Sequence, residues 1–159
     1  MADKGIGNTT ASVFMDNIRS SLGGTLQYEP ADSSEKWVFA EVAVDATAST
    51  DVLDTSDSYL GDATAVDTAD VIRWIAIKNT STIATEGMAI DLITGTAAYN
   101  LKGINVIGPG EMIILKPQLT TVADLHIRSC TVDTNGKVTA QGTAEVTVQV
   151  AAILDDVSV

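Results

Sequence analysis

One histidine and one cysteine limit the chemistry that this chain can supply. They lie together in Asp124-Leu125-His126-Ile127-Arg128-Ser129-Cys130. Period-two alternation puts Asp124, His126, Arg128 and Cys130 on one face of a strand, with Leu125 and Ile127 on the other. A thiol and an imidazole are the parts of a nucleophile and its base. Four residues of extended chain hold these two roughly 13 Å apart, too far for proton transfer. A surface or interface role is therefore expected for them, and no catalytic residue is assigned. Zinc would need further His or Cys ligands, which the chain lacks. Calcium is the other option, because Asp51, Asp54 and Asp57 are hard oxygen donors. Their spacing lacks the sixth-position Gly and twelfth-position Glu of an EF-hand loop, so they read as a solvated acidic loop, with a non-standard calcium loop as the alternative. Asp155 and Asp156 are sequence neighbours whose side chains point apart, whereas a glycosidase needs two acids facing across a cleft. No nucleophile elbow, P-loop or dinucleotide fingerprint occurs, and Gly103–Gly110 reads as a turn between apolar runs. No enzyme activity, metal, cofactor or small-molecule substrate is expected.

The wider composition narrows the class. The 159 residues carry 21 acids against 9 bases, a formal charge of −12. The bases are scattered singly, so the clustered Lys and Arg of a nucleic-acid or membrane-surface binder are missing. Yet 45% of the residues are apolar and only 19% charged, which suits a folded domain and not an acidic tail. A single cysteine permits no internal disulfide. The opening Met1-Ala2-Asp3-Lys4-Gly5 does not read as a signal peptide, and no run approaches the 18 apolar residues of a membrane span.

The elements that must position these residues are strands. Thr, Val and Ile number 20, 16 and 14, and such β-branched side chains favour pleated backbone. Lys36–Val44 alternates, with Val38, Ala40, Val42 and Val44 on one face and Trp37, Phe39, Glu41 and Ala43 on the other. Thr143–Ile153 alternates in the same way. Val71–Lys78 is apolar on both faces, as a strand covered on two sides requires. Shorter runs at Met88–Ile93, Gly103–Ile107, Met112–Lys116 and Ala123–Val132 complete the set. Gly108-Pro109-Gly110 and Asn135-Gly136 supply turns. The expected fold is all-β, a single antiparallel sandwich or jelly-roll-like domain over residues 36–159, preceded by an N-terminal arm over residues 1–35. Within the arm, Thr10 suits the cap of a short helix over 11–22 carrying Val13, Phe14, Ile18 and Leu22, with a strand or extended segment as the competing form. Residues 45–70 hold seven aspartates and no Lys or Arg, and read as a long acidic surface excursion.

Apolar side chains outnumber what one sandwich core needs. The surplus on Val71–Lys78 and Ile113–Leu115 points to a second buried face, which a symmetric oligomer supplies. Trp37, Trp74 and Ile114 are the expected subunit-interface residues, since seven aromatics in all make a poor sugar platform. Phe14, Ile18 and Leu22 are the expected docking residues of the arm.

Three segments carry a resemblance. They are Asp70-Val71-Ile72-Arg73-Trp74-Ile75-Ala76-Ile77-Lys78-Asn79-Thr80, then Gly108-Pro109-Gly110-Glu111-Met112-Ile113-Ile114-Leu115, then the alternating strand Ala144–Ile153. On these the chain resembles the small capsid-decoration, or cement, proteins of tailed bacteriophages. The resemblance implies a β-sandwich or β-tulip domain, a homotrimer, and docking on major capsid protein at the outer surface of the shell. It also implies synthesis in the host cytoplasm and a final place in the virion. Another virion part, such as a head fibre, tail or adaptor protein, and a carbohydrate- or ligand-binding β-module are the alternatives.

Overall fold

The computed structural model describes residues 5–15, 18–28, 35–46, 52–53, 66–92, 105–117 and 120–155, with the backbone alone for residues 5, 9–15 and 18–22. The chain is all-β. Strands β1 (Gly5–Met15) and β2 (Ile18–Tyr28) pair in register from Gly5↔Tyr28 to Met15↔Ile18. The helix expected over 11–22 is therefore replaced by a hairpin. Thr9, Thr10 and Val13 disfavour helix, Gly23 and Gly24 interrupt it, and eleven consecutive cross-strand pairs bond the facing sides of the two strands instead.

The remaining strands are β3 (Lys36–Val44), β4 (Val71–Asn79), β5 (Glu86–Leu92), β6 (Asn105–Ile107), β7 (Met112–Leu115), β8 (Leu125–Val132), β9 (Val138–Gln141) and β10 (Val146–Asp155). They form two four-stranded antiparallel sheets, in the orders β3-β10-β4-β7 and β6-β5-β8-β9. One hydrophobic cluster joins the two. It takes Val38, Ala40 and Val44 from β3, Ile72, Ile75 and Ile77 from β4, Met88 and Ile90 from β5, Leu125 and Ile127 from β8, and the alternate residues of β10. This is a β-sandwich-like arrangement, with the core shared by two antiparallel sheets. Each such Val, Ile or Leu contributes about 1.5–3 kcal/mol on burial.

Turn chemistry closes the strands where the sequence indicates. Gly136 (φ +74°) sits in the β8–β9 hairpin, where the Asp133 carboxylate accepts from the backbone N–H groups of Asn135 and Lys137. Those two bonds hold the Asp133 carboxyl below its usual range. Gly110 (φ +73°) completes the turn between β6 and β7, and the Glu111 side chain accepts from the Gly108 N–H.

Two boundaries move. The last strand begins at Val146, with residues 142–145 outside it, so the alternation starting at Ala144 runs ahead of the sheet. The excursion over 45–70 is not purely a surface segment. Val52 and Leu53 are buried in the shared core. Asp70, read with the solvated aspartates, is fully buried and accepts from Lys36 Nζ at 2.8 Å and from the Asp67 N–H at 2.8 Å. Asp51, Asp54 and Asp57 lie outside the described residues.

Candidate assembly surface

The outer face of the β3-β10-β4-β7 sheet collects the residues that alternation turns away from the core. Strand register lines them up in rows. Trp37 opposes Ile153, which opposes Trp74. The next row runs Phe39, Ala151, Ala76, Ile114. Beyond it come Glu41, Gln149, Lys78 and Met112. Trp37, Trp74 and Ile114, assigned to one interface from sequence, thus share one sheet face, with Trp37 and Trp74 two strands apart. The expectation that Val71–Lys78 is covered on both sides is met only in part: Ile72, Ile75 and Ile77 enter the core, while on the opposite face Trp74 is buried, Ala76 half-buried and Lys78 exposed. A register shift at Ile153/Leu154 leaves Arg73 as the extra residue between Trp74 and Ile72, and it puts Ile72 on the core face with Ile75 and Ile77 while Trp74 stays on the outer one.

Part of the cover comes from the chain's own arm. Gly7 is buried against Ile114, so closely that a Cβ there would lie 2.4 Å from Ile114 Cδ1. Only glycine allows this approach without displacing Ile114. At the same end of the hairpin, Lys116 Nζ donates to the Gln27 carbonyl at 3.0 Å and stands 5.4 Å from the centre of the Tyr28 ring. The Tyr28 hydroxyl donates to Glu35 Oε1 at 2.5 Å. Burial, and then the Glu35 hydrogen bond, push the Tyr28 phenol up to about 12, so it remains a donor. Arg73 and Asp155 act on the same phenol in opposite senses and pair with each other, with Arg73 Nε 3.1 Å from Asp155 Oδ2. The arm is therefore seated by one steric notch and a small polar latch.

Elsewhere on this face Ile153 and Trp74 are buried, but two large apolar side chains are exposed. Phe39 is 57% exposed and Met112 54% exposed on the same sheet face. Along the arm, Gly23, Gly24 and Thr25 are exposed, and a Cβ on Gly24 would have nothing within 4 Å. Phe14, Ile18 and Leu22 lie on the paired strands β1 and β2, and their side chains are outside the described residues. Phe39 was legible as a non-core position from the alternation of β3. Gly7, Tyr28 and Lys116 carried no sequence signal, because their partners come from other elements.

The other sheet holds the residues first considered for chemistry. His126 opposes Asp91 and Cys130 opposes Gly87, four positions apart along β8. Cys130 is buried with Ala89 and Val132, and burial raises its thiol to about 11, the reverse of an activated thiolate. Among the described residues no three His, Cys, Asp or Glu side chains converge as metal ligands. No protein-family model matches the chain, and no curated protein or solved structure matches it either.

Proposed function

We propose that the protein is a structural, non-enzymatic component of a phage particle, a decoration protein that binds the outer surface of the capsid shell as a homotrimer and stabilises it. The body of the sandwich meets the major capsid protein, and the arm reaches past its own body to a neighbour. The observation that carries this reading is the hairpin itself: its base is seated on Ile114, while Gly23–Thr25 are exposed beyond the seat. A long two-stranded extension on a rigid sandwich suits a part whose work is joining subunits. Exposed Phe39 and Met112 beside the seat give the same sheet face further apolar area for a partner.

The test is cosedimentation of the purified protein with undecorated capsids of the phage that encodes it, together with its native mass. Saturable binding by a species of three chains supports the reading. A monomer that leaves capsids unbound, and capsids whose resistance to heat is unchanged by the protein, overturn it.

A further inference from the structure

Four strands form the edges of the two sheets, and three of them are short. Strands β7, β6 and β9 have 4, 3 and 4 residues, a common way to blunt an edge against unwanted pairing. The fourth edge, β3, runs for 9 residues with no Pro, no Gly and no register shift against β10. Phe39 stands exposed at its middle. Among the described residues no strand pairs with its outer side. An edge of this length is a template for a further strand.

The arm has the matching need. A two-stranded ribbon is marginal in water unless a third strand or a packed face supports it. The seat holds the ribbon at Gly7, and from Gly7 to Met15 it runs roughly 27 Å further. Charge points to the partner. In a chain of net charge −12, the 22 residues of β1 and β2 contain one charged side chain, Arg19, and no acid. This is the segment that can approach another copy of the chain without like-charge repulsion.

We infer that the arm of one copy adds, by backbone pairing, to the outer edge of β3 in a second copy. Because the two surfaces differ, the contact is head-to-tail, and three such contacts close a ring. The inference rests on the oligomeric reading above and supplies its interface.

The experiment places a photo-crosslinking benzoylphenylalanine at Phe39 in the full chain, mixes isotopically heavy and light protein, and maps the crosslinks by mass spectrometry. The expected result is heavy–light crosslinks from position 39 to peptides within residues 5–28. The same probe at Ala43, exposed on the same face of β3, repeats the pattern and serves if the first variant folds poorly. Crosslinks confined to one chain, or no crosslinks between chains, overturn the inference. Crosslinks from position 39 to β3 of the second copy also overturn it, in favour of symmetric edge pairing. Capsid cosedimentation on the same samples separates the two readings. Binding without arm-to-β3 crosslinks removes this inference and leaves the decoration role standing.

Discussion

Replacing Lys36 by Met tests the buried ion pair at the start of the sandwich. Lys36 is 1% exposed and Asp70 0%, with Nζ and Oδ2 2.8 Å apart. The pair bridges the first residue of β3 to the residue before β4, 34 positions later. Removing one partner of a buried pair leaves the other charge uncompensated and costs about 3–5 kcal/mol. Asp70 keeps the Asp67 N–H as a donor at 2.8 Å, which places the loss at the low end, about 3 kcal/mol. For a chain of this size that lowers Tm by roughly 6–12 °C. Thermal unfolding followed by circular dichroism measures it. Adding Asp70→Asn to Lys36→Met removes the orphaned charge, so the double variant melts above Lys36→Met alone. The reasoning is refuted if Lys36→Met melts within about 2 °C of the parent, or if the second substitution lowers Tm further.

Gly7→Val pushes a side chain into Ile114 and should unseat the arm while the sandwich stays folded; hydrogen exchange should show faster amides at the base of β1 and β2, with β10 unchanged. Tyr28 prefers its neutral form in the fold, with its phenol raised to about 12. The stability this contributes is complete below the ordinary tyrosine range near 10 and is lost as pH rises from there through about 12. An ultraviolet titration step near 12 that Tyr28→Phe abolishes is the check. Cys130, buried and with its thiol raised to about 11, should resist thiol reagents near neutral pH until denaturant opens the fold. Fast labelling of the native protein would contradict that burial.

Strand identity was legible where the two faces of a strand meet different surroundings. In β3 the alternation of Val38, Ala40, Val42 and Val44 with Trp37, Phe39, Glu41 and Ala43 reads directly, since one set lines the core and the other the outer face. Strand β4 was legible for the opposite reason, apolar on both faces because Ile72, Ile75 and Ile77 enter the core while Trp74 is buried on the outer face. The arm was ambiguous. Phe14, Ile18 and Leu22 sit four apart, a helical spacing that an eleven-pair hairpin overrides. Val52 and Leu53 were lost among aspartates, because local composition does not reveal that two residues turn inward.

By itself, then, the sequence determined the all-β class, the main strands and the turns at Gly110 and Gly136, since propensity, alternation and positive-φ glycines act over a few residues. Tertiary structure alone decided the order of strands within the sheets, the Lys36–Asp70 pair, the seat of Gly7 on Ile114, and which strands lie at the sheet edges. Each of these joins residues tens of positions apart. Their energies depend on burial and approach, which no local pattern of residue types encodes.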